Sequence, residues 1–188
     1  METKFLTPVL SVSAQISVAE LADLAQAGFK SIICNRPDGE SAGQTGFDEI
    51  AKAAEALGLQ ARYLPAETGK VTDEQGAAFG KLMDELPKPV LAYCRSGMRS
   101  TTMWALASAS NLPLPGIIEA ADRAGYDLKG LVRRTLNGGK TPVEVADASH
   151  DVVIIGGGAA GIATAASLLA RSPNLDVAII DPADVHYY

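Results

Sequence analysis

Cysteine and histidine are both scarce: the chain holds only Cys34, Cys94, His150 and His186. Two cysteines cannot build a disulfide scaffold, and they fit a reducing compartment, so a cytoplasmic protein is expected. Both histidines lie far from Cys94 in sequence, which gives a zinc cluster or a Ser-His-Asp hydrolase little support; no metal is expected. No run of 18 apolar residues occurs, so no spanning membrane segment is expected. The start of the chain lacks the charged-then-apolar pattern of a secretion signal. An excess of positive charge is missing too. The net charge is −6, which argues against nucleic acid as a partner. What remains is a globular composition: 188 residues, 47% hydrophobic against 20% charged, enough to bury one core with something left over.

The chain is organised around Tyr93-Cys94-Arg95-Ser96-Gly97-Met98-Arg99-Ser100. Pro89 to Tyr93 is an apolar run that reads as a buried strand, and Arg99 to about Ala109 reads as a helix. Cys94 therefore sits at a strand end, on a tight loop that opens a helix. Amides from Arg95 to Arg99 can turn inward as an anion nest, reinforced by the helix N-terminus. Gly97 allows backbone angles that other residues resist. Arg99 brings a planar cationic fork for an anionic group, with Arg95 beside it. Ser96, Met98 and Ser100 complete the candidate substrate-binding loop, and Ser96 and Ser100 can donate to a sulfur anion. Cys94 and Arg99 are the expected catalytic residues.

The rest of the first region alternates strand and helix: strands near Val9–Val12, Phe29–Asn35 and Gln60–Leu64; helices near Val18–Gln26, Phe47–Leu57 and Asp73–Glu85. Alternation predicts an α/β fold, a mostly parallel sheet flanked by helices. Ser17 with Glu20 reads as a capping box, and Thr72 caps the helix starting at Asp73. Asn111–Pro115 reads as a turn, with short helices at Ile117–Ala124 and Leu128–Leu136. The loop Asn35-Arg36-Pro37-Asp38-Gly39-Glu40 should share the sheet edge with Cys94. It offers Arg36 for substrate and Asp38 or Glu40 as a proton donor; Asp38 is the expected catalytic carboxylate. Cys34 next to it reads as a strand residue, or more sharply as a second thiol resolving Cys94.

Residues 137–150 change character and read as a linker between a domain at 1–136 and a segment at 151–188. Asp151–Ile155 is an apolar strand running into Gly156-Gly157-Gly158-Ala159-Ala160-Gly161, an Ala-rich helix, and a second strand ending in Asp181. This is the dinucleotide fingerprint in its context, a partial Rossmann βαβ unit. Gly156 makes the turn, Gly158 lets the backbone approach a pyrophosphate, Gly161 permits close helix–strand packing, and Asp181 can meet ribose hydroxyls. One such unit cannot cover its own sheet. A flavin is therefore not expected to be held by these 188 residues alone. The apolar strand 151–155 then needs a partner in the first domain or in a second copy, as a homo-oligomer, unless it is disordered.

Residues 6 to 136 resemble a family of small bacterial phosphatase-like domains found beside metallo-β-lactamase-type hydrolases. The matching pieces include 13–16, 27–33, 35–40, 54–59 and 94–100. The resemblance implies a dual-specificity-phosphatase-like fold. The loop departs from those phosphatases in two ways: four residues, not five, separate Cys94 from Arg99, and Tyr93 stands where they usually carry His. The Cys-x-x-Gly-x-Arg spacing instead looks like that of rhodanese-type sulfurtransferases. Residues 151 to 188 resemble the start of sulfide:quinone oxidoreductases, in part through Asp181-Pro182 and His186-Tyr187-Tyr188, which implies FAD in a longer protein. A flavoprotein that oxidises sulfide would supply persulfide. The leading expectation is thus a persulfide-carrying sulfurtransferase acting on a small sulfur substrate such as thiosulfate. The alternatives are a phosphatase working through phosphocysteine, with Asp38, Glu67 or Asp73 as acid, and a non-catalytic sensing or docking module.

Overall fold

The computed structural model describes residues 2–143 and 150–181. The chain divides into two compact units, Met1–Pro142 and Val143–Tyr188. Part of the expected linker, residues 144–149, and the expected family ending at 182–188 lie outside the described residues.

The first unit is built on a five-stranded sheet in the order β1-β2-β5-β3-β4, with β1 Thr3–Thr7, β2 Leu10–Ser13, β3 Ser31–Cys34, β4 Gln60–Tyr63 and β5 Val90–Tyr93. All pairings are parallel except β1 with β2. The helices are α1 Leu21–Gln26, α2 Phe47–Ala56, α3 Asp73–Glu85, α4 Met98–Ser108, α5 Leu114–Arg123 and α6 Val132–Leu136, with 3-10 turns at Val18–Glu20 and Lys129–Leu131.

Side-chain alternation explains why helices cover both faces. Ile33, Val90 and Ala92 point to a core that includes Phe79 of α3, Met103 and Trp104 of α4 and Ile117 of α5. Ile32, Cys34, Leu91 and Tyr93 point the other way, to Leu21 and Leu24 of α1 and Ile50 of α2. Each such fully buried aliphatic side chain contributes roughly 1.5–3 kcal/mol over the exposed state. Helix α3 lies close on α4 because Gly76 and Gly80 lack side chains; a Cβ on Gly76 would come within 2.8 Å of Leu106 Cβ.

Strand β1 is absent from the sequence reading, and α5 begins at Leu114, inside the expected turn. Pro115 at the second helical position is compatible with a helix start, where its missing N–H costs nothing. The residues just after α6 are not free linker. The Thr141 amide donates to Asp73 Oδ2 at 2.7 Å, and the Gly139 amide donates to the Arg134 carbonyl at 2.9 Å. No helix among the described residues is long and apolar enough to cross a membrane.

The second unit has β6 Val152–Ile155, α7 Ala159–Arg171 and β7 Val177–Ile180, the two strands parallel with Val152 opposite Val177. Its apolar side chains are poorly covered; Ile155 is 85% exposed.

Candidate active site

One row of the sheet places Ser13, Tyr93, Cys34 and Tyr63 side by side at the carboxyl ends of β2, β5, β3 and β4. The next residue on the central strand is Cys94, where loops from both neighbouring strands converge. The Cys94 amide reaches the Ser13 carbonyl at 3.4 Å, and the Asn35 amide donates to the Tyr93 carbonyl at 2.8 Å. The cysteine is 1% exposed, and the Gly97 amide donates to its Sγ at 3.1 Å. That contact is the first element of the expected anion nest.

Gly97 makes the loop possible on two counts. Its φ is +92°, the left-handed region, and a Cβ there would sit 2.0 Å from Tyr126 Oη. The Tyr126 hydroxyl uses that space to donate to the Ser96 carbonyl at 3.0 Å. Thr101 ties the first turn of α4 together by donating from Oγ1 to the Gly97 carbonyl at 3.0 Å.

Arg99 is almost fully buried, and its fork is held on two sides. Nη1 donates to Glu40 Oε1 at 2.7 Å and to the Ala66 carbonyl at 2.7 Å, and Nη2 donates to Glu40 Oε2 at 2.8 Å. Arg36 reaches the same carboxylate, Nε to Oε2 at 2.7 Å, and braces itself on Gln15 Oε1 and Ser41 Oγ. The Arg99 hydrogen bonds, with help from Arg36, hold the Glu40 carboxyl down to about 2. Glu40 is therefore ionised at neutral pH and is not the proton donor that its loop position suggested. Nor does Arg36 point a free charge at substrate; it is 6% exposed and supports Glu40.

Asp38 does something else. Its Oδ1 accepts the amide of Phe47, the first residue of α2, at 2.9 Å, and its own amide donates to Tyr63 Oη at 2.9 Å. The Phe47 and Tyr63 rings stack beside it with centroids 4.8 Å apart. Among the described residues, none of its hydrogen bonds goes to the Cys94 loop. Cys34 donates from Sγ to the Arg36 carbonyl at 3.3 Å, and burial pushes its thiol up. It lies on the Tyr93 face of the sheet, within the α1–α2 core. Ser100 is fully buried, and its hydroxyl has no partner among the described residues.

Two cavities flank the cysteine loop. One, of about 480 Å³, is bordered by Arg95, Met98, Arg99, Val71, Leu131 and Arg134. The other, of about 420 Å³, lies toward Lys4, Gln15 and Tyr126, and Arg95 and Ser96 line it as well. A larger cavity, about 710 Å³, runs along β1 and the end of α5 and touches none of the loop. Sequence reasoning missed Gln15, Arg134, Tyr126 and the Ala66 carbonyl, because each reaches the site through space from a distant element.

In the second unit, Gly156 takes φ +106° and a Cβ on Gly161 would lie 1.9 Å from the Gly156 carbonyl oxygen. A Cβ on Gly158 would meet nothing within 4 Å, and the Gly157 amide donates to Asp181 Oδ2.

Residues 2–111 match the family described as "Beta-lactamase hydrolase-like protein, phosphatase-like domain". The chain belongs to this family. A Beta-lactamase hydrolase-like protein of Agrobacterium fabrum is 36% identical over 130 residues, which cover 66% of this chain and 29% of that protein. Its namesake in Xylella fastidiosa (strain Temecula1) is 34% identical over 98 residues, covering 52% and 23%. The chain thus spans less than a third of the length of the curated relatives it matches. Among solved structures, a candidate phosphatase of Neisseria meningitidis is 33% identical with a TM-score of 0.65, covering 72% of this chain and 96% of that one. Tk-PTP in its active form is 21% identical with a TM-score of 0.56, covering 72% and 93%. PTPMT1 is 14% identical with a TM-score of 0.58, covering 73% and 94%. These last two show the fold alone, the α/β fold of dual-specificity and tyrosine phosphatases.

These findings overturn the leading sequence expectation. The family and its solved relatives are phosphatase-like, and they do not support a rhodanese-like sulfurtransferase carrying persulfide. The expectation leaned on the four-residue gap between Cys94 and Arg99, a local feature. The family match spans 110 residues around that gap.

Proposed function

We propose that the first unit is a cysteine-dependent phosphomonoesterase. The observation that supports this reading best is the buried Arg99 fork, fixed beside the Cys94 loop by Glu40 and the Ala66 carbonyl. A phosphoryl group over Cys94 would meet the loop amides and α4's N-terminus, and Arg99 would take its equatorial oxygens. Cys94 thiolate attacks phosphorus; a P–S bond forms as the P–O bond to the leaving alkoxide breaks. Water then displaces sulfur, releasing inorganic phosphate and restoring the thiolate. Ser100, with its unpartnered buried hydroxyl, is available to donate to that thiolate.

The leaving alkoxide needs a proton. Glu40 is held ionised, Asp38 caps α2, and Asp73 is engaged by Thr141 and Arg134, which lower its carboxyl. Glu67 is the carboxylate best placed. It follows Ala66, whose carbonyl touches Arg99; Lys70, at 2.7 Å, lowers its carboxyl too, but that pair, its one ion pair among the described residues, is exposed and easily exchanged.

The test is hydrolysis of 4-nitrophenyl phosphate, with rapid acid quenching to trap phosphocysteine. Cys94→Ser should lower the rate about 10³-fold or more and remove the trapped intermediate. Hydrolysis that survives in Cys94→Ser, or none in the native protein, sinks the reading.

For the second unit we propose the opening strand–helix–strand of a dinucleotide-binding domain, with Gly156, Gly158, Gly161 and Asp181 at its turn. The fit is steric: Gly161 has no room for a side chain, and Gly158 leaves its approach open. When bound, FAD would supply redox chemistry. The probe is ADP, followed by amide chemical shifts. Shifts centred on residues 156–161 and lost in Gly158→Val support the reading; uniform or absent shifts overturn it.

A further inference from the structure

We propose that the site takes phosphomonoesters whose apolar body carries a second anionic group, and that Arg95 reads that second charge. The inference rests on the phosphomonoesterase reading above and deepens it.

Three guanidinium groups border the 480 Å³ cavity: Arg95, Arg99 and Arg134. Two of them are already matched. Arg99 is paired with Glu40, and Arg134 is paired with Asp73 and also donates to the Val71 carbonyl at 2.8 Å. Arg95 is exposed and has no ion-pair partner among the described residues. Its position directly after the buried nucleophile places it at the rim, where it borders both cavities. A phosphoryl group at Cys94 is served by the loop amides and Arg99. The Arg95 charge is additional to that cradle, and it faces outward, where the body of a substrate would lie.

The wall between these charges is apolar. Val71, Leu131 and Met98 line it, and Met98 is 37% exposed beside the cysteine loop. An unbranched thioether adapts its shape to an apolar partner. Bare phosphate or a small sugar phosphate would leave this wall wet. An aryl or alkyl phosphate would cover it, and a carboxylate or second phosphate on its far side would meet Arg95 in a planar two-point contact.

The experiment compares 2-naphthyl phosphate with its 6-carboxymethyl derivative, whose methylene keeps the leaving group's chemistry nearly constant. In the native protein the carboxymethyl ester should have a kcat/KM about 5-fold higher, expressed in KM, as expected for a partly exposed ion pair. In Arg95→Gln the ratio should fall to about one, and 0.5 M salt should shrink it in the native protein. A ratio near one in the native protein overturns the inference. So does an Arg95→Gln variant that loses activity equally on both esters, which would place Arg95 on the phosphoryl group itself. Calorimetry of Cys94→Ser with the matching naphthyl phosphonates separates the two readings. An Arg95-dependent preference for the carboxymethyl phosphonate without native turnover would keep this ligand class and remove the phosphomonoesterase reading. Turnover with no preference would do the reverse.

Discussion

Glu40 receives both terminal nitrogens of Arg99, at 2.7 Å and 2.8 Å, across 59 residues of sequence. A flexible arginine would have to be ordered by each incoming substrate. Here the cost is met in the folded protein, and the fork is presented in one plane. Arg36 completes the arrangement by balancing the carboxylate from the other side.

Glu40→Gln keeps the size of the side chain and removes its charge. Arg99 then loses its two-point partner while staying buried. We expect kcat/KM for aryl phosphates to fall about 10- to 100-fold, as for a modest misplacement of a binding group. Steady-state kinetics checks it; unchanged kinetics would show that Arg99 holds its place without Glu40.

The same carboxylate makes stability depend on pH. Its pKa in the folded protein is about 2 against an ordinary 4.5, so ionised Glu40 stabilises the fold above about pH 4.5. That contribution is lost as pH falls from 4.5 toward 2. Allowing for screening at its 22% exposed side chain, the amount at stake is about 2 kcal/mol. Urea unfolding at pH 6, 4.5 and 3 should show the decline, and Glu40→Gln should flatten it.

Gly97→Ala should cost more than its conformational penalty of about 1 kcal/mol, because the new methyl would meet the Tyr126 hydroxyl. Tyr126→Phe removes that oxygen along with its hydrogen bond to Ser96. The double variant should therefore be less destabilised than the two single effects added together, by about 1 kcal/mol. Strict additivity in urea unfolding would mean that the loop yields instead of the tyrosine.

Gln75 closes the capping box of α3 with Thr72 and also donates from Nε2 to the Pro65 carbonyl at 2.8 Å. Thr72→Ala and Gln75→Ala should each cost about 1 kcal/mol. Only Gln75→Ala frees the 65–71 loop that carries Glu67 and the Ala66 carbonyl. It should lower kcat/KM several-fold where Thr72→Ala does not, a difference that aryl-phosphate kinetics on the two variants would reveal.

Local signals were legible in the sequence. Helix α3 follows from its Thr72 cap and the acidic residues Asp73 and Glu74 of its first turn, and the strand–Cys94–helix arrangement follows from Pro89 to Ser100. Strand β1 was not legible. It is an antiparallel edge with a register irregularity between Phe5 and Thr7, and Phe5 is largely exposed, so no buried stripe announces it. The role of Glu40 was hidden for another reason. Arg36-Pro37-Asp38-Gly39-Glu40 reads as a turn whatever its last carboxylate touches, and only the folded chain brings Arg99 to it. The gap between Cys94 and Arg99 was legible and misleading, since chemistry was inferred from loop length before the surrounding fold was known.

The strand order also governs how this site comes into being. Val90 pairs on one side with Leu10 and on the other with Ser31. Strands β2 and β3 follow each other in the chain but never touch; each keeps an inner edge that only β5 can satisfy. A growing chain that has made both still holds an open slot until residues 90–93 arrive. The residue that closes the slot is followed within four positions by Cys94. The Cys94 loop is thus assembled at the step that joins the two halves of the sheet, and an incompletely made domain carries no finished loop.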